Sequence, residues 1–196
     1  VSSGQTASTF AILNVAKSGD NIVSSTDLYG GTVSLFTHTL SKLGIEVRYA
    51  DPSDPKNFEK AVDNKTRAFY GETLPNPYLR VFPIKEVSDI GRKHNIPLIM
   101  DNTASPVLCK PLEHGAAVVV YSLTKYIGGH GTVVGGALID GGNFDWTVNP
   151  KRQPNFNEPD ASYGGAVWGK TVPELTGANV SFAVRARVVL LRDLGA

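Results

Sequence analysis

Val118-Val119-Val120-Tyr121-Ser122-Leu123-Thr124-Lys125 places an unbroken apolar run against two hydroxyls and a lysine. A short apolar run without polar alternation suits a strand covered on both faces. Ile96-Pro97-Leu98-Ile99-Met100 repeats the form and ends on Asp101. Asn21-Ile22-Val23-Ser24-Ser25, Ile45 to Tyr49, Ala68 to Glu72 and Gly136 to Asp140 are further strand candidates. Helical spacing lies between them. Thr6 to Lys17 carries Phe10, Leu13 and Ala16 ahead of Gly19; Gly31 to Leu43 carries Val33, Phe36 and Leu40 ahead of Gly44. Pro55 to Val62 and Pro83 to His94 complete the helical set. Strands alternating with helices predict an α/β fold, a mostly parallel sheet flanked by helices. The pattern breaks from Gly141 to Thr176, which reads as a long irregular excursion of the kind that often carries function. Helical periodicity returns near Val180.

Composition narrows the classes of function. Apolar residues make up 41% of 196, enough for a real core, and 19% charged residues are too few for a disordered chain. Nineteen Lys and Arg against eighteen Asp and Glu leave no net basic field for nucleic acid. The single cysteine, Cys109, permits no intrachain disulfide and fits a reducing, cytoplasmic setting. No apolar run approaches the roughly 18 residues of a membrane span. His38, His94, His114 and His130 are scattered without metal-ligand spacing. The opening Val1-Ser2-Ser3-Gly4 and the helix-like close Val188 to Ala196 are expected to belong to the central part of a longer polypeptide.

In open parallel sheets, ligands bind outside the carboxyl ends of the strands. The polar residues expected there are Glu72, Asp101, Ser122, Thr124 and Lys125. Lys125 beside a buried strand end is expected to be desolvated, which lowers an amine pKa and favours a Schiff base with an aldehyde; a solvated surface lysine is the plain alternative. Asp101 could hold a positive charge on a ligand ring, bind Mg²⁺ or cap a turn. Ser3-Gly4-Gln5 at a helix start offers free N–H groups and a positive dipole end to a phosphate, or Ser3 is simply an N-cap. Tyr29-Gly30-Gly31 opens the second helix, where the ring could stack on a flat cofactor or merely pack. Taken together and in this order, these features describe pyridoxal phosphate held by an α/β domain.

Ser122-Leu123-Thr124-Lys125-Tyr126-Ile127-Gly128-Gly129-His130-Gly131 closely resembles the lysine motif of the Cys/Met-metabolism family of pyridoxal-phosphate enzymes. Ser2-Ser3-Gly4-Gln5, Leu28-Tyr29-Gly30-Gly31-Thr32, Glu72-Thr73-Leu74-Pro75-Asn76-Pro77 and Asp101-Asn102-Thr103 resemble it too. The resemblance implies the large cofactor domain of the aspartate-aminotransferase-like (type I) fold over residues 1–176, with 177–196 opening the helix to a C-terminal domain. It implies that Lys125 carries the Schiff base and shuttles protons. Gly4 and Gln5 amides with Ser122 and Thr124 hydroxyls would hold the phosphate. Tyr29 would stack on the ring and assist the leaving group. Asp101 would pair with the ring nitrogen, and Asn76 with the ring hydroxyl oxygen. Glu72 lies nearby without an assigned role.

Gln5, the Glu72-Thr73-Leu74 opening, Gly141 to Trp146 and Phe156 to Tyr163 are most similar to the O-acetylhomoserine sulfhydrylase branch. The implied reaction is γ-replacement on O-acetylhomoserine by sulfide, giving homocysteine and acetate, in a homotetramer built as a dimer of dimers. Cystathionine γ-synthase and the methionine or cystathionine γ-lyases share the named core residues and are the alternative. Family segments that complete the phosphate and substrate-carboxylate sites are not matched, so the 196 residues alone are expected to be inactive or nearly so. Tyr121 stands where many relatives have His, and Ala104-Ser105-Pro106 is a variant version.

A rival of another class is a nucleotide-binding loop, since Gly164-Gly165-Ala166-Val167-Trp168-Gly169-Lys170-Thr171 formally matches the P-loop pattern. That motif must follow a buried strand, and Glu158 to Tyr163 does not read as one. A catalytically incompetent fragment that keeps the fold is the remaining alternative.

Overall fold

The computed structural model describes residues 1–195; Ala196, the last residue of the segment 177–196, lies outside them. Six strands form one sheet in the order β2-β1-β3-β4-β5-β6. They are β1 (Asn21–Ser25), β2 (Glu46–Ala50), β3 (Thr66–Glu72), β4 (Leu98–Asp101), β5 (Val118–Ser122) and β6 (Gly136–Asp140). The first five pair in parallel. β6 returns antiparallel beside β5, with Gly136 opposite Ser122. Every residue of β1 and β3 is buried, whereas the edge strand β2 is largely accessible. The continuous apolar runs thus mark the strands covered on both faces.

Period-two alternation sorts the side chains of these strands into two layers. Phe69, Leu98 and Met100 pack on one face with Phe58, Phe82 and Val87. Ala68, Tyr70, Ile99, Val118 and Val120 point to the other, beneath helix α1 (Gly4–Val15) and Phe36. Helices α3 (Lys56–Lys60) and α4 (Ile84–Lys93) pack together on the first face. α2 (Gly30–Ser34) runs directly into a π-helical stretch, Leu35–Leu40, so the helix expected from Gly31 to Leu43 is present but wound wider in its second half.

The excursion after β6 departs from expectation. It contains α5 (Pro154–Asn157), a 3₁₀ turn (Ala161–Tyr163) and α6 (Trp168–Thr176), then leads into α7 (Ser181–Arg185) and a π-helical continuation, Ala186–Arg192. None of residues 141–176 lines the central cavity. Their work is packing: Trp146, 1% exposed, stacks on Phe156 at 4.4 Å and Phe182 at 5.2 Å and meets Phe144 edge-on at 4.9 Å. Single aromatics on short turns carry no period, so this layer is invisible to periodicity. The P-loop match fails here as well. It follows the 3₁₀ turn rather than a strand, and Gly169 is set inside α6, where a Cβ would lie 2.9 Å from both the Phe156 carbonyl oxygen and Thr147 Cγ2.

α1 is held from behind by this layer. Asn14 donates to the Phe182 carbonyl (2.9 Å), and Arg185 donates to the Asn14 carbonyl (2.9 Å) and side-chain oxygen (2.8 Å).

Candidate active site

The parallel arrangement brings the carboxyl ends of β3, β4 and β5 to one edge of the sheet. Glu72 and Asp101 face each other in register across β3 and β4. β5 ends at Ser122. The N-terminus of α1 docks against that end, and the approach requires two glycines. A Cβ on Gly4 would lie 2.5 Å from Ser122 Cβ, and one on Gly136 would lie 2.0 Å from the Ser3 carbonyl oxygen. Gly136 also exchanges hydrogen bonds with Val1, at 2.9 and 3.0 Å. These contacts close a cavity of about 570 Å³, lined by Gly4, Gln5, Tyr29, Asn76, Asp101, Ser122, Thr124 and Lys125 together with Glu72, Thr32, Thr103 and several neighbours. All eight residues singled out in the sequence as cofactor contacts therefore meet in one place.

The two ends of the cavity have opposite electrostatic character. At one end Ser3 caps α1, its hydroxyl accepting the Thr6 N–H at 3.0 Å. The Gly4 and Gln5 N–H groups make no protein hydrogen bond among the described residues, and Gln5 Oε1 is buried without a partner. Unpaired amides at a helix N-terminus attract an anion. The Ser122 and Thr124 side chains stand beside them. The Thr124 hydroxyl is oriented by Gly135, whose N–H donates to it at 3.0 Å.

The other end is acidic. Burial pushes the Glu72 carboxyl up to about 8, and the nearby Asp101 charge adds to the rise, while the Tyr29 N–H and the Thr32 hydroxyl pull the other way. Burial also raises Asp101 above its ordinary value, opposed by the Thr103 hydroxyl and N–H and by the Tyr70 hydroxyl. Neither carboxyl forms an ion pair among the described residues. Two carboxyls left together without a cation favour a positively charged or N–H-bearing ligand group. A ligand anionic at one end and cationic at the other matches this cavity, which is the charge pattern of pyridoxal phosphate with a protonated ring nitrogen.

Lys125 differs from expectation in one respect: it is exposed, not desolvated. The chain turns sharply after β5, with Lys125 N–H on the Ser122 carbonyl at 3.2 Å and Gly129 N–H on the Lys125 carbonyl at 2.7 Å. The lysine thus stands at the rim of the cavity rather than behind the strand. Its side chain makes no protein hydrogen bond among the described residues. Gly129 (φ 74°) and Gly131 (φ 66°) let the turn take its left-handed steps.

Tyr29 is half exposed at the opposite wall, with its ring lying over Gly31; a Cβ there would sit 2.4 Å from the ring. Two contributors received no role from the sequence. Thr103 ties the strand ends together: its N–H donates to Asp101 Oδ1 (2.8 Å), and its hydroxyl accepts the Ser122 N–H (2.8 Å). Tyr70 lies fully buried below, bonded to Ser8 at 2.9 Å. Thr103 was detectable as the second residue after a strand-end Asp, an Asx-turn position. Tyr70, inside an apolar strand, gave no such signal. Among the described residues no group of three or more His, Cys, Asp or Glu could hold a metal ion.

The close approach of α1 to β5 carries a prediction. Gly4→Ala forces a methyl group into Ser122, which is expected to cost about 1–3 kcal/mol. A thermal melt should show a fall of roughly 2–12 °C, given about 2–4 °C per kcal/mol at this size. An unchanged melt would mean that helix and strand are not in contact.

Known proteins share this arrangement. The family described as Cys/Met metabolism PLP-dependent enzyme matches residues 1–181. An O-acetyl-L-homoserine sulfhydrylase of Leptospira meyeri is 52% identical over 98% of this chain and 44% of its own length. The homocysteine/cysteine synthase of Saccharomyces cerevisiae is 42% identical over 100% of this chain and 43% of its own. A Campylobacter jejuni crystal structure assigned as an O-acetylhomoserine (thiol)-lyase, which contains N'-pyridoxyl-lysine-5'-monophosphate, superposes with a TM-score of 0.90 at 41% identity, covering 100% of this chain and 47% of that one. The chain thus spans less than half the length of these relatives. With its motifs, its sheet and its bipolar cavity all in agreement with the match, the chain belongs to the Cys/Met-metabolism family of pyridoxal-phosphate-dependent enzymes.

Proposed function

We propose that residues 1–176 form the cofactor-binding large domain, and 177–196 the start of a helix leading to a further domain, of an enzyme that exchanges the acetoxy group of O-acetylhomoserine for sulfide. The observation that carries this reading is the meeting of Lys125, the acidic strand ends and the open N-terminus of α1 in one cavity. Its likeness to O-acetylhomoserine sulfhydrylases supports the choice of reaction. The likeness to a cystathionine γ-lyase from Lactobacillus plantarum is weaker, with a TM-score of 0.68 over 79% of the chain.

When bound, pyridoxal phosphate supplies an aldehyde for covalent attachment and a ring that accepts electrons from the substrate. The chain's own groups do the rest. The Gly4 and Gln5 amides and the Ser122 and Thr124 hydroxyls hold the phosphate. Asp101 keeps a proton on the ring nitrogen, which preserves the ring's pull on electrons. Asn76 binds the ring hydroxyl oxygen, and Tyr29 covers one ring face. The Lys125 amine would first hold the cofactor. Once released by the substrate amine, it would take the proton from substrate Cα, pass it on, take one from Cβ, and return a proton to each carbon after sulfide has added. Its position at the rim leaves room for that movement. Acetate departs from Cγ, sulfide adds there, and homocysteine leaves.

Apolar side chains such as Val81, Val107, Leu108 and Tyr126 are more than half exposed. Such a surface supports a homo-oligomer, with the tetramer as the family's form. A cytoplasmic site of action goes with this reading, and no described helix is long and apolar enough to cross a membrane.

The test is product analysis on the full-length enzyme that contains this chain, with pyridoxal phosphate present. O-acetylhomoserine plus sulfide should yield homocysteine and acetate in equal amounts, while cystathionine should be turned over far more slowly. Faster turnover of cystathionine would move the chain to the γ-lyase reading.

A further inference from the structure

We infer that Glu72 is a positioning residue that holds Tyr29 in place through its backbone and ties that position to the charge seated against Asp101. The inference deepens the pyridoxal-phosphate reading and rests on it for the identity of that charge.

Both carboxyl oxygens of Glu72 accept the Tyr29 N–H, at 2.9 and 3.0 Å. Tyr29 is the N-cap of α2 and makes no side-chain cap bond of its own. The buried carboxyl therefore reaches across from β3 to anchor the start of another element. From that anchor the ring folds back over Gly31, where no side chain larger than hydrogen fits. The backbone anchor fixes where the side chain starts, and the glycine leaves the space that the ring occupies at the cavity wall.

The coupling follows from the pairing of Glu72 with Asp101 across the sheet. The titratable groups facing Glu72 are Asp101 from β4, the Tyr70 hydroxyl from β3, Tyr29 from the start of α2, and Lys125 and Tyr126 from the turn after β5. Gln5 and Thr32 are uncharged, and Asp27, two residues before Tyr29, is committed to Arg80 at 2.9 Å. Burial is the main reason that Glu72 holds its proton to about pH 8, and with no cation present the like charge of Asp101 adds to it. A positive charge against Asp101 removes the repulsion and shifts Glu72 toward ionisation, leaving only burial to oppose it. An ionised acceptor binds the Tyr29 N–H more strongly than a neutral one. Seating the cation thus tightens the stacking residue, and by linkage a tightened Tyr29 favours the cation.

The test is nuclear magnetic resonance of the Tyr29 amide in the full ¹⁵N-labelled chain, with and without pyridoxal phosphate. In the free protein the amide proton should move downfield as pH rises through about 8. Glu72→Gln keeps the shape and an acceptor oxygen, so the amide should stay bonded but become insensitive to pH. Asp101→Asn should lower the midpoint by roughly one pH unit or more, and cofactor should lower it in the wild type. In loaded Glu72→Gln the cofactor absorbance should remain while its induced circular dichroism changes. A wild-type amide that does not titrate, or one that titrates identically in Glu72→Gln, overturns the role of Glu72 even if cofactor binds. Absence of cofactor absorbance in the wild type instead refutes the site reading, and the free-protein titration still decides on Glu72. If Glu72→Gln fails to fold, the comparison of wild type with Asp101→Asn decides.

Discussion

In the full-length enzyme, Lys125→Ala is expected to remove the near-visible absorbance that covalent attachment of pyridoxal phosphate produces and to lower turnover by about 10²–10⁴-fold or more. The reason is that one amine performs two tasks, holding the cofactor and moving protons at adjacent substrate carbons. No other lysine lines the cavity to replace it. The fold should not suffer, because Lys125 is exposed and its side chain takes part in no ion pair or hydrogen bond among the described residues. A surface change of this kind shifts stability by no more than about 0.5 kcal/mol. Absorbance spectra and a thermal melt on the same preparation separate the two effects. Retention of the absorbance with an unchanged melt would remove Lys125 from the site. Partial rescue of turnover by a small added amine would show that the missing amine alone is responsible.

The second large effect lies far from the chemistry. Trp146→Ala empties the aromatic layer formed with Phe144, Phe156 and Phe182. Loss of a buried aromatic of this size costs about 3–5 kcal/mol, which corresponds to a fall in melting temperature of roughly 6–20 °C for a domain of this length. Function is expected to follow, since Phe182 and Arg185 anchor α1 at Asn14 and α1 supplies the anion-binding amides. Trp146→Phe should cost much less: it keeps most of the stacked area and discards an indole N–H that is buried without a partner. Equal losses in the two variants would show that the stacking does not organise this layer. Denaturant melts with phosphate affinity measured alongside would report both consequences.

The strands were readable in the sequence because a doubly covered parallel sheet leaves continuous apolar runs. Asn21–Ser25, Val118–Ser122 and Gly136–Asp140 appear with the expected limits. Helix ends moved by a residue or two, as cap geometry rather than composition sets them: α1 begins at Gly4 because the Ser3 hydroxyl captures the Thr6 N–H. The antiparallel return of β6 was not readable, since an apolar run carries no direction.

What the amino-acid order determined by itself was the α/β class, the residue types waiting at the strand ends and, through its motifs, the family. These properties are local, written in short runs and fixed spacings. The burial of Trp146, the exposure of Lys125 and the grip of Glu72 on Tyr29 emerged only with the tertiary structure. Each depends on groups distant in the chain sharing one small volume, Glu72 and Tyr29 being separated by 43 positions. Desolvation and like-charge repulsion exist only once folding has excluded water and set the distances.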